Sequence, residues 1–123
     1  MPEAAFLILH VEDPLASAAF YAALLEAPIV ESSPTFAMLP LREGMMLGLW
    51  SRHTVEPAPA AFAGAMEIGF TVGSPDEVDA RHAAWRAAGL PILQAPREMD
   101  FGRTFVALDP DGHRIRVFAP AAP

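Results

Sequence analysis

Cysteine is absent from the chain, which excludes a disulfide framework, a thiolate metal site and a cysteine nucleophile. The simplest reading is a soluble protein of a reducing compartment, hence cytoplasmic. Long apolar runs are also missing. None reaches the ~18 residues a membrane-crossing helix needs, and the first residues do not read as a signal peptide. Nor is there a basic run: the arginines are scattered and the formal charge is −7, so neither nucleic acid nor an anionic membrane is expected as the main partner. No glycine-rich phosphate loop occurs, and Ser17, Ser32, Ser33 and Ser51 lack a Ser-His-Asp context. What remains is a chain of 123 residues, 53% hydrophobic, enough to fold as one α+β domain without staples.

Local signals order that domain. The apolar run at residues 4–11 fits a buried strand. Asp13 followed by Pro14 starts a helix, a capping carboxylate and then proline at the first helical position. The helix is expected to reach about Glu26 with Leu15, Ala18, Ala22 and Leu25 on its buried stripe, and Pro28 stops it. Two or three strands follow across 28–50, with Pro40 and Gly44 marking a turn. Residues about 53–65, rich in proline and alanine, read as a connector. A strand is then expected over Met66 to Val72. Ser74, Pro75 and Glu77 form a capping-box pattern, and the helix they open ends at Gly89. Strands follow near 92–97, 103–109 and 113–118, the last two joined by the turn Asp109-Pro110-Asp111-Gly112.

The two halves repeat each other. Val11-Glu12-Asp13-Pro14 aligns with Val72-Gly73-Ser74-Pro75 at an offset of 61 residues. Thr35-Phe36 aligns with Thr104-Phe105 at 69, and after a one-residue gap the run Gly44 to Trp50 aligns with Gly112 to Phe118 at 68. Each half therefore reads βαβββ, unit one about 1–52 and unit two about 66–120. The expected fold is a curved mixed sheet around a cavity, helices outside.

The repeat, with Val11-Glu12-Asp13-Pro14 leading to Phe20-Tyr21 and the closing Asp109-Pro110-Asp111-Gly112-His113, resembles the vicinal oxygen chelate superfamily of glyoxalases, extradiol dioxygenases and bleomycin-resistance proteins. A narrower resemblance lies in Leu49-Trp50-Ser51, Phe101-Gly102-Arg103-Thr104-Phe105 and Ile115-Arg116-Val117, which look like a phenazine-resistance branch that binds drug without turning it over. The resemblance implies homodimers, with sites at the chain interface; the long connector permits exchange of units.

It also implies where a metal would sit in the enzymes: one donor on the first and one on the last strand of each unit, here Phe6, Gly48, Glu67 and Arg116. Only Glu67 can ligate. A guanidinium has no lone pair to give and keeps its charge, and one carboxylate does not replace three ligands. No metal and no other cofactor is therefore expected. His10, His53, His82 and His113 offer no metal-ligand spacing. The last three read as ordinary surface or wall residues, and His10 as cavity wall or plain packing.

Period two sorts the strands into faces. Phe6, Ile8 and His10; Met46, Gly48 and Trp50; Glu67, Gly69 and Thr71; and Arg114, Arg116 and Phe118 are expected away from the helices. Such a wall suits a small planar aromatic ligand, with Trp50 and Phe6 for stacking and glycines where something approaches the backbone closely. Trp50 is otherwise a core or dimer contact, and Trp85 packs its helix. Arg116 pairs with a ligand carboxylate or with Glu67. Phe101 and Arg103 belong either to a loop closing over the ligand or to a simple turn. The leading expectation is a metal-free binder of a planar aromatic antibiotic. The rivals are a metal-dependent glyoxalase or dioxygenase, and a cofactor-free enzyme using Glu67 or His10 as base.

Overall fold

The computed structural model describes residues 5–121. They divide into two compact units, with the boundary between Phe62 and Ala63. The first unit runs β1 (Ala5–Val11), α1 (Pro14–Leu25), β2 (Glu31–Ser32), β3 (Phe36–Arg42) and β4 (Met45–Ser51). The second runs β5 (Glu67–Thr71), α2 (Pro75–Ala87), β6 (Ile92–Met99), β7 (Gly102–Leu108) and β8 (Arg114–Pro120). Each forms its own four-stranded sheet, ordered β1-β4-β3-β2 and β5-β8-β7-β6, so the mixed sheet of the expectation is two sheets, one per unit. In both, the outer first strand runs parallel to the last strand and the remaining pairs are antiparallel.

The helices start as their capping chemistry requires. Asp13 is extended, and its Oδ1 accepts from the backbone N–H groups of Leu15 and Ala16 at 3.1 and 3.3 Å. These are two of the donors a helix start leaves unpaired. Ser74 does the same for the N–H of Glu77. The expected capping box is displaced by one residue: Glu77 reaches back to the N–H of Gly73, at 3.1 Å, rather than to that of Ser74. Gly89 follows α2 at φ +93°, the left-handed stop its sequence position predicts.

The buried stripe of α1 differs from the expected one. Pro14, Ser17, Ala18 and Tyr21 are buried, while Leu15 is exposed. The helix is apolar nearly all round, so hydrophobicity alone does not set its phase. Tyr21 is fully buried, as are Ala37, Leu39, Leu47 and Leu49 of the sheet on which α1 packs. Full burial of each such leucine removes it from water at a gain of about 1.5–3 kcal/mol. In the second unit Val78 and Trp85 of α2 are buried with Phe105, Ala107, Ile115 and Val117. The Trp85 ring meets Phe105 edge-on at 5.4 Å, the packing role its helix position predicts.

Two local expectations are corrected. Pro40 lies inside β3, not in the turn, which falls at Glu43-Gly44. β2 pairs only with Ala37 and Met38, so beyond them that edge is unpaired and a residue without an N–H costs no ladder bond. The register also shifts beside it, between Pro40 and Arg42. The second correction concerns the repeat. Phe36 pairs with Trp50 as Thr104 pairs with Phe118, so the structural equivalent of Phe36 is Thr104, at the same offset of 68 as the last strands, and not Phe105. A one-residue slip moves a side chain to the other face of a sheet. Phe105 accordingly lies in the core, while Phe36 lies on the opposite face of its own sheet.

The connector is built from turns and bends. Val55 is buried within it, the Thr54 and Val55 N–H groups bond back to the Ser51 carbonyl, and the Arg52 guanidinium stands 4.2 Å over the Phe62 ring. Among the described residues no helix is long and apolar enough to cross a membrane.

Candidate functional site

Each sheet has one face packed on its helix and one face turned away. The alternation of Leu9, Val11, Leu47 and Leu49 into the core leaves Phe6, Ile8 and His10 of β1 and Met46, Gly48 and Trp50 of β4 on the open face of the first unit. Register adds Phe36, Met38 and Pro40 of β3, which lie opposite Trp50, Gly48 and Met46. β1, β4 and β3 thus present an apolar surface of aromatic and thioether groups, with the His10 imidazole as its one titratable group. Phe6 and Ile8 remain 51% and 40% exposed.

Gly48 has a specific reason to be glycine. A Cβ there would meet the Phe36 ring at 3.1 Å and Ile8 at 3.3 Å. The close approach expected at Gly48 is made by Phe36 from the neighbouring strand. Phe36 also stands edge-on to Trp50, ring centroids 6.4 Å apart. Trp50 is half-buried, directly between His10 and Phe36 in register.

The open face of the second unit is chemically different. β5 contributes Glu67, Gly69 and Thr71, and β8 contributes Arg114, Arg116 and Phe118. β7 adds Thr104 and Val106, and β6 adds Gln94 and Arg97 through their pairing with Val106 and Thr104. Arg116 grips Glu67 with two hydrogen bonds, Nε to Oε1 at 2.9 Å and Nη2 to Oε2 at 3.1 Å, and its Nη1 donates to the Thr104 hydroxyl at 3.2 Å. That hydroxyl in turn donates to the Val117 carbonyl. Of the two roles open to Arg116, the structure has the internal pair. Its hydrogen bonds hold the Glu67 carboxyl below its ordinary pKa; burial opposes this, and the charges of Arg116 and Arg114 reinforce it.

Phe101 sits in the tight turn between β6 and β7. Its ring stands edge-on to Phe118 at 5.6 Å, with the Arg116 guanidinium 5.7 Å from its centroid. Gly102 is held at φ +134°, and a Cβ there would lie 1.9 Å from the Ala119 carbonyl oxygen. Arg103 does not join these residues. It pairs with Asp79 of α2 at 2.9 Å and with Glu98 at 3.3 Å, on the helix side of the sheet. That placement follows from its register with buried Ala119.

The remaining histidines are accounted for locally. His53 hydrogen-bonds Glu12, and His82 packs on Phe105. His113, expected at the surface or on a wall, is instead buried beside the last turn. There Asp109 Oδ1 accepts from the N–H groups of Asp111 and His113, both at 2.8 Å, and Gly112 takes φ +90°. Asp109 is thus committed to the turn.

The positions that the resemblance assigns to a metal do not fit one. In the first unit Phe6 and Gly48 have no donor atom. In the second the Glu67 carboxylate is already held by a guanidinium. Among the described residues no cluster of three or more His, Asp or Glu side chains has metal-site geometry. What sequence reasoning missed is Phe36 and Gln94 as functional candidates; Arg114 is placed on the open face by period two, without a role of its own.

The family model described as Glyoxalase/Bleomycin resistance protein/Dioxygenase superfamily matches residues 4–117. The phenazine antibiotic resistance protein EhpR of Enterobacter agglomerans is 27% identical over 113 residues, 89% of this chain and 86% of that protein. A protein of Agrobacterium tumefaciens solved by solution NMR is 51% identical with a TM-score of 0.88, covering 99% of this chain and all of that one. A glyoxalase/bleomycin resistance protein/dioxygenase from Nocardioides has a TM-score of 0.80 at 26% identity, covering 98% of this chain and 84% of its own.

Proposed function

The chain belongs to the glyoxalase/bleomycin resistance protein/dioxygenase superfamily, and from that premise we propose that it is a metal-free cytoplasmic binding protein that sequesters a planar aromatic antibiotic or similar metabolite without turnover. The observation that carries this reading is the open face of the first unit. There Phe6, Ile8, Phe36, Met38, Met46 and Trp50 offer π and thioether surface, with His10 and, at the outer edge, Glu31 as the ionisable groups. A flat ring laid on it gains stacking of about 0.5–1.5 kcal/mol beyond the area it buries, and thioethers adapt to the outline of the ring. The likeness to EhpR supports a phenazine-like ligand.

The same face leaves Phe6 and Ile8 largely uncovered, and a second copy of the chain is their proposed cover. The expected species in size-exclusion chromatography with light scattering is a dimer; a monomer at micromolar concentration contradicts that part of the proposal. Binding is tested by isothermal titration of phenazine into wild type and Trp50→Ala. Loss of the indole should weaken binding about five- to tenfold. Equal affinity in the two proteins removes the stacking role. Turnover of the ligand on incubation would replace sequestration by catalysis.

A further inference from the structure

The open face of the second unit holds more positive charge than its own pairs consume. Among its strand positions Arg97, Arg114 and Arg116 stand against a single carboxylate, Glu67, in a chain whose formal charge is −7. Arg116 is occupied: Glu67 takes two of its donors and Thr104 a third. Arg114 lies in direct register with Glu67, yet that carboxylate is turned to Arg116. Two atoms on this face are buried with no hydrogen-bond partner, Nε of Arg114 and Oε1 of Gln94. Gln94 belongs to the row Gln94, Val106, Arg116. Buried polar groups are nearly always satisfied, and one left bare is a cost unless something else meets it.

We propose that Arg114 is an anion-recognition residue on the open face of the second unit, and that this face takes an aromatic carboxylic acid whose carboxylate meets the Arg114 guanidinium, with Gln94 as a second polar contact along it. This rests on the reading of the protein as a binder of planar aromatics and specifies which class of them it selects. Arg114 is suited to the role because its charge is not cancelled by a dedicated partner. A guanidinium with free donors matches a carboxylate in plane and in charge. Arg116 is not suited, because a ligand carboxylate would have to displace Glu67 and leave that acid unpaired. Its contribution is to hold Glu67 away from Arg114.

The test uses three probes of nearly equal shape on the full-length protein at pH 7: phenazine-1-carboxylate, phenazine-1-carboxamide and unsubstituted phenazine, each by isothermal titration. Wild type should bind the carboxylate about tenfold or more tightly than the carboxamide. Arg114→Gln should erase that preference and leave affinity for the carboxamide within about twofold. Arg114→Lys, which keeps the charge and loses the planar donors, should retain part of the preference; it also serves as the readout if the Gln variant does not fold. Equal binding of carboxylate and carboxamide by wild type overturns the inference while leaving the sequestration reading intact. An undiminished preference in Arg114→Gln does the same. Failure of all three probes to bind removes both.

Discussion

The two units share strand order and the register of their first strand on their last, yet their open faces are opposites. Ile8 pairs with Gly48 as Gly69 pairs with Arg116, at offsets of 61 and 68 residues. At equivalent positions one sheet carries Phe6 and Gly48 and the other carries Glu67 and Arg116. The first pair is apolar and filled by a neighbouring ring. The second is an ion pair with a further arginine beside it. A repeated backbone therefore leaves the open side chains free to diverge, because only the helix-facing residues are tied to the core. The outcome is one apolar surface and one charged surface.

The largest effect that separates the units is expected at their crowded glycines. Gly102→Ala sets a Cβ against the Ala119 carbonyl at a positive φ, and should cost on the order of 3 kcal/mol in denaturant unfolding. Gly48→Ala meets only the Phe36 ring and Ile8, which are side chains and yield; about 1 kcal/mol is expected. Phe36→Leu in the same chain should restore most of that smaller loss. No side-chain change should rescue Gly102→Ala, because its obstacle is backbone. Equal costs at the two positions would break the contrast.

The ion pair of the second unit offers a pH-dependent test. Glu67 has a lowered folded pKa, so its contribution is present above the unfolded carboxylate's value and is lost as pH falls toward the lowered one. Its side chain is about a third exposed, and solvent screening limits the contribution to about 1 kcal/mol or less. Glu67→Gln should therefore be less stable than wild type at pH 7, and the two unfolding curves should converge as acid protonates Glu67. A difference independent of pH would mean that the carboxylate's charge is not what Arg116 uses. The smallest effect is expected in the first unit, where His53 and Glu12 are both well exposed. His53→Ala should shift stability by no more than about 0.5 kcal/mol.

Much of this architecture is legible in the sequence. The caps at Asp13 and Ser74, the Asp109 turn and the repeat follow from short-range chemistry, and period two places Phe6, Trp50, Glu67 and Arg116 on open faces. The illegible parts depend on partners distant in the chain. Arg103 lies on the helix side by its register with Ala119, and the partner it finds there, Asp79, is 24 residues upstream. The phase of α1 was hidden by its uniform apolarity. The equivalence of Phe36 with Thr104 was obscured because both strands contain a Thr-Phe dipeptide, one residue out of step with the pairing. Gly48 was correctly read as a close approach, but its visitor was internal.

That visitor constrains any attempt to place a metal donor at position 48. Replacing Gly48 with a histidine or a glutamate, as an engineer restoring a donor would first try, sends the new side chain into the Phe36 ring. The aromatic has to give way, so a bulky donor calls for a change at Phe36 as well as at Gly48. The change at Phe36 would strip the surface on which the present ligand is proposed to rest.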